Sequence, residues 1–176
     1  MDIELQTQLF VNYPRFFRHP GHGLLTELRG IADDRSPFDQ FGIQCGNGWF
    51  AIINRLSSLC EAYIDILIRE GQPEAVWPRV GQIKEKFGGL RFYVDGALPV
   101  TIRDEICKAE EKVSYKTCEC CGHPGTLRTG NWLHTYCNAC EKEYVAKLDR
   151  PPAKDMWQKM QQRSCEIRAL LGARLE

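Results

Sequence analysis

No stretch of the 176 residues stays apolar for as long as 18 positions, which excludes a membrane-spanning helix from the sequence pattern. The start, MDIELQTQLF, has no basic cluster followed by an apolar run, so no secretory leader is expected. Several catalytic signatures are missing. There is no HExxH, no GxxxxGK[ST] loop and no His-x-Glu element of the kind zinc deaminases use. There is no internal repeat and no excess of charge, because 23 basic side chains balance 23 acidic ones. Residues 1–106 carry 11 Lys/Arg against 14 Asp/Glu and residues 107–176 carry 12 against 9, too mild a split for a dedicated duplex-DNA binder.

What is present is an ordinary globular composition, 43% hydrophobic and 10% aromatic, with nine cysteines. Nine cysteines without a leader point to a reducing, cytoplasmic setting in which thiols serve as ligands or core residues. The spacing Cys118-x2-Cys121, fifteen residues, Cys137-x2-Cys140 supplies two pairs, each able to aim both sulfurs at one ion. Four thiolates complete a tetrahedron and leave no position for water or substrate. The expected cofactor is therefore one structural Zn2+; iron is the lesser alternative. Cys120 breaks the two-residue gap with either neighbour and is left as a spare.

The chain between the pairs, TLRTGNWLHTY, predicts a hairpin near Gly130-Asn131, and CNACEKEYVAKL predicts a helix opening on the second pair. A cysteine knuckle, a hairpin and a ligand-bearing helix resemble a treble-clef finger. A zinc ribbon is the close rival. His-Me finger nucleases resemble treble clefs too, which draws attention to His123, His134, Asn131 and Asn138. Fifteen residues are fewer than their active site usually occupies, and no adjacent His-His or Asp-His pair occurs, so a nuclease ranks as the second alternative function.

Elsewhere the pattern predicts an α+β fold with long helices packed on a β-hairpin sheet. Residues 1–37 read as a short helix stopped by Pro14 and then a loop. Within 38–115, Phe41, Ile43 and Cys45 alternate as a strand, Gly46-Asn47-Gly48 turns, and a helix follows over about 49–70. VGQIKEKFGGLRFYV predicts a hairpin with Gly88-Gly89 as its loop and facing pairs Phe87–Leu90, Glu85–Phe92 and Ile83–Val94. Lys84, Lys86, Arg91 and Tyr93 fall on the outer face, and Glu85 on the apolar one. A helix over about 101–115 would start at a Thr101–Asp104 capping box. The finger takes 116–150, and a last helix takes about 152–171 of a final segment, 151–176.

In combination, FGIQCGNGW, QIKEKFGGLRFYV and the two CxxC pairs resemble a family of small zinc-finger proteins of bacteria, phages and prophages. The resemblance covers about residues 38–145. It implies a compact α+β unit carrying a zinc finger and supplies no activity, substrate or catalytic residue. The expectation is a non-enzymatic binding protein, a phage or mobile-element accessory that inhibits or modulates a host defence or nucleic-acid-processing complex. The expected partner is a protein or ribonucleoprotein complex, with direct nucleic-acid binding as the alternative. Lys84, Lys86, Arg91, Tyr93, Arg128, Trp132 and His134 are the candidate contacts, chosen for expected exposure.

Overall fold

The computed structural model describes residues 1–18, 38, 41–130 and 132–148. Met1–Cys140 pack as one unit. A second unit, Glu141–Glu176, is described only over 141–148. Most of the loop over 19–40 and the expected helix over 152–171 lie outside the described residues.

The first helix, α1 (Ile3–Asn12), stops just before Pro14, whose ring and missing amide bar continuation. Beyond it Phe16 and Phe17 turn inward. Phe16 stacks on Phe92 with centroids 5.8 Å apart, and Phe17 meets Phe10 at 5.1 Å. A buried carboxylate pins this corner. Glu61 accepts the Phe16 N–H at 2.8 Å and the Arg15 Nε at 2.7 Å, and Arg15 also reaches Asp65 at 2.7 Å.

Strand β1 (Ile43–Gln44) is shorter than the alternation from Phe41 suggested. Gly42 takes φ +60°, which breaks the extended backbone and leaves Phe41 60% exposed. Gly46-Asn47-Gly48 is no simple turn. Asn47–Trp49 form a 3-10 turn that runs straight into α2 (Phe50–Arg69). The predicted helical spacing is realised, with Ile53, Leu56, Cys60, Ile64 and Leu67 buried and Trp49 buried at the head. Gly71 closes α2 with two bonds, Gly71 N–H to Ile68 O and Gln72 N–H to Leu67 O, a Schellman motif.

Strands β2 (Arg79–Lys86) and β3 (Gly89–Asp95) form the expected hairpin, but its turn is Phe87-Gly88, not Gly88-Gly89. Ile83 faces Phe92, Glu85 faces Leu90 and Lys86 faces Gly89. The predicted pairs are therefore two residues out of register. A two-residue slide preserves the side-chain alternation, so Ile83, Leu90 and Phe92 still reach the core. Phe87 does not; it leaves the strand and is 62% exposed. Glu85 is half-buried and accepts the Gly88 N–H at 2.6 Å, which gives the carboxylate on the apolar face a local partner. A bulge between Val80 and Gln82 allows Val80 to be buried along with Ile83. β1 pairs parallel to β2, in the order β1-β2-β3.

Helix α3 (Val100–Lys108) begins on Pro99, whose carbonyl accepts the Ile102 and Arg103 amides. Thr101 thus lies inside the first turn, and the capping box does not form. The helix loosens into one π turn (Ala109–Val113) and a 3-10 turn (Ser114–Lys116). This segment covers the outer edge of β3. Glu110 accepts the Phe92 N–H at 2.5 Å, and Ser114 Oγ accepts the Leu90 N–H at 3.1 Å. Bare edge amides invite unwanted strand pairing, and these side chains occupy them.

Candidate metal centre

The first cysteine pair sits on a tight knuckle. Thr117 and Pro124 bridge its base, the Cys118 N–H bonds His123 O at 2.7 Å, and the Gly122 N–H bonds Cys118 O at 2.9 Å. That turn points the Cys118 and Cys121 sulfurs the same way. Strands β4 (Thr126–Arg128) and β5 (His134–Tyr136) then pair antiparallel, their connection including Asn131, which is outside the described residues. Cys137 follows β5, and Cys140 lies in the first turn of α4 (Asn138–Leu148). Arg128 braces this junction through Tyr136 O at 3.2 Å and Asn138 Oδ1 at 2.7 Å.

The four sulfurs of Cys118, Cys121, Cys137 and Cys140 all lie within 4.8 Å of one another, with Cys121 and Cys137 3.7 Å apart. A tetrahedron with metal–sulfur bonds of about 2.3 Å has edges of about 3.8 Å, so the donor set fits a tetrahedral metal ion. Disulfides do not account for the cluster, since the four are free thiols. The Cys140 N–H, 3.5 Å from the Cys137 sulfur, pulls that thiol down to about 6, while burial pushes the Cys140 thiol up. A dication entering such a cluster displaces the remaining protons. Cys120 is exposed and is not one of the four. His123 holds its Nδ1 3.3 Å from the Cys121 sulfur.

The knuckle is docked on the head of α2 by residues that the spacing did not single out. The Gly48 N–H donates to Glu119 O at 2.7 Å, and the Gly46 N–H donates to the Glu119 carboxyl at 2.9 Å. The Trp49 indole donates to Thr117 O at 2.8 Å. The approach is so close that a Cβ on Gly48 would lie 2.1 Å from Cys118 O and 2.4 Å from Gly122 N. Glu119 also reaches the finger hairpin, its N–H bonding Thr135 O at 2.8 Å, and burial raises its carboxyl pKa. Thr135 in turn donates its hydroxyl to Gly88 O at 2.6 Å. The knuckle, the head of α2, the finger hairpin and the β2–β3 turn are therefore joined by short polar contacts. The only signal for this in the sequence was the Gly-Asn-Gly-Trp run, which local chemistry reads as a plain turn.

The other candidate contacts fall in different settings. Lys84 and Arg91 pair across β2–β3, and the Lys84 ammonium sits 5.8 Å over the exposed Tyr93 ring. Lys86 is exposed beside the turn, and Trp132 is 64% exposed. Arg128 is half-buried and engaged as described. His134 is not on the surface. It is 6% exposed, packs on Tyr136 at 4.4 Å, and holds Nδ1 3.1 Å from Trp132 O. The reason is tertiary: its backbone lies against the Phe87-Gly88 turn, where a Cβ on Gly88 would come 3.3 Å from His134 N.

No family model, no curated protein and no solved structure matches the chain. No helix among the described residues is long and apolar enough to cross a membrane.

Proposed function

We propose that the chain is a non-enzymatic binding protein held in shape by one structural Zn2+ on Cys118, Cys121, Cys137 and Cys140. The convergence of four protein sulfurs within 4.8 Å carries this reading, because a fully protein-ligated tetrahedral ion clamps structure and leaves no site for chemistry. Zinc fits this donor set better than oxygen-seeking cations do. The knuckle, the β4–β5 hairpin and a helix bearing the last ligand support a treble-clef-like finger over a zinc ribbon. Its fusion to the α2 head makes the clamp a brace for the β2–β3 hairpin as well. The resemblance to proteins of bacteria, phages and prophages supports an accessory role, inhibiting or modulating a host defence or nucleic-acid-processing complex. Lys84, Lys86, Arg91 and Tyr93 with Trp132 form the proposed contact surface, while Arg128 braces the finger through Tyr136 O and Asn138 Oδ1.

Affinity purification of the zinc-loaded chain from its native host, beside a Lys84→Ala/Lys86→Ala/Arg91→Ala variant, tests the surface. A defined complex lost in the variant is expected; equal recovery places the surface elsewhere. One observation favours a second reading, direct nucleic-acid binding: the Lys84 ammonium lies over the exposed Tyr93 ring, and a cation beside an exposed aromatic is a combination that holds single strands. Absence of any gel shift with single-stranded oligonucleotide at low salt rejects it. The burial of His134 weighs against a nuclease that would use it, while His123, the other histidine such a reading draws on, is exposed.

A further inference from the structure

Phe87 is the only non-glycine among the described residues with a positive φ, +56°. Its partner in the two-residue turn, Gly88, has φ +78°. Such a turn favours Asn or Gly at both places, and a bulky side chain there is strained. The ring is 62% exposed, so core packing does not repay the strain. Strained residues held by their surroundings tend to mark functional positions. Here the surroundings hold the turn from three elements. The Glu85 carboxylate accepts the Gly88 N–H at 2.6 Å, Thr135 donates to Gly88 O at 2.6 Å, and the Tyr115 hydroxyl reaches Phe87 O at 3.5 Å.

The neighbourhood indicates what the ring would meet. Leu127, 41% exposed, lies against the turn, its Cδ1 2.3 Å from where a Gly88 Cβ would sit. The Lys86 ammonium is 5.2 Å from the Phe87 ring centroid. Lys84 and Arg91 stand directly opposite each other, like charges that repel across the ladder, and Arg91 is held by Leu90 O at 2.7 Å with the Glu110 carboxyl offsetting part of its charge. The nearby carboxyls of Glu85 and Glu110 are turned to the Gly88 and Phe92 amides. An aromatic–aliphatic tip flanked by three cations is complementary to a protein segment carrying acidic residues beside large apolar ones. Base stacking would use the ring but not Leu127.

We infer that Phe87 is the apolar anchor of a docking surface for such an acidic, apolar-bearing segment, with Lys84, Lys86 and Arg91 as its cationic flank. This rests on the binding role proposed above and names the partner's chemistry. The test selects random displayed peptides on the full, zinc-loaded chain and compares the wild type with Phe87→Asn. Enriched peptides should combine Asp/Glu with Leu, Ile, Phe or Trp and weaken as salt rises. They should bind the variant about tenfold or more weakly, the loss expected of an aromatic anchor. Phe87→Asn should melt about 2–4 °C higher, because Asn tolerates the left-handed backbone. The inference is overturned if no acidic–apolar peptide is enriched or the variant binds as well as the wild type. It is overturned equally if the variant melts several degrees lower, which would make Phe87 a folding residue. Displacement of the peptides by a single-stranded oligonucleotide that needs Phe87 would reassign the site to nucleic acid. Peptides that bind independently of Phe87 but need Lys84 and Lys86 would leave the binding reading standing without this anchor.

Discussion

Gly48→Ala isolates the contact between the metal knuckle and the core. Gly48 does not have a positive φ, so alanine is tolerated by its own backbone. The obstacle is external: the new methyl would lie 2.1 Å from Cys118 O, 2.4 Å from Gly122 N and 2.7 Å from Glu119 O, all of them backbone atoms. The knuckle must move away, and three bonds loosen with it: Gly48 to Glu119 O, Gly46 to the Glu119 carboxyl, and Trp49 to Thr117 O. At a net 0.5–1.5 kcal/mol for each bond, the loss is about 3 kcal/mol. Against a total stability of roughly 5–15 kcal/mol, that lowers the melting temperature by about 6–12 °C. Because docking and metal binding are linked, zinc affinity should fall by up to about a hundredfold in chelator competition. Gly130→Ala is the control, since a Cβ there meets nothing within 4 Å. The measurement is a thermal melt of wild type and both variants with zinc saturating and with zinc removed. The Gly48 effect should shrink once the metal is gone, because a knuckle without fixed shape can yield. A Gly48→Ala protein that melts with the wild type and holds zinc equally well would refute the docking.

Three other outcomes are expected. Metal analysis should find one zinc per chain in the wild type, lost in Cys118→Ser and in Cys121→Ser but retained in Cys120→Ser; the reverse result would overturn the ligand assignment. Glu61→Ala should destabilise by about 2–3 kcal/mol in a denaturant titration because it orphans the buried Phe16 N–H, and Glu61→Gln, which keeps an acceptor, should lose clearly less. Glu110 has its carboxyl pKa raised by burial, so the folded state binds its proton more tightly than the unfolded state does. Stability from this group therefore declines as pH rises from the ordinary carboxylate range through the raised value. Glu110→Gln, which still offers the Phe92 N–H an acceptor, should be at least as stable as wild type at pH 7, with any advantage vanishing at acid pH. A large loss at pH 7 in paired melts would contradict this.

Where sequence reading succeeded and failed follows the range of the forces involved. The four clustered cysteines were legible because two-residue spacing is a local geometric constraint that the fold only has to honour. Helix α2 was legible because its apolar residues recur every three or four positions and Gly71 punctuates its end. The β2–β3 turn was misplaced because local propensity favours Gly88-Gly89. The structure spends Gly89 differently, packing it where a Cβ would be 2.6 Å from the Tyr115 ring, and puts Phe87 in the turn instead. His134 was expected at the surface because nothing nearby in sequence covers it; the turn that does so is more than forty residues away. Glu119 looked like filler between cysteines, yet it joins three elements.

By itself, then, the sequence determined which four cysteines cluster, the helices with strong periodicity, and the faces of the central hairpin. Each depends on residues a few positions apart, whose geometry the backbone dictates. Only the tertiary structure decided the hairpin register, the burial of His134, the exposure of Phe87, and the seating of Gly46-Asn47-Gly48-Trp49 under the cysteine knuckle. Those are set by contacts between segments far apart in the chain. There a methyl group's width of space or a single backbone amide selects among arrangements that local chemistry leaves nearly equal.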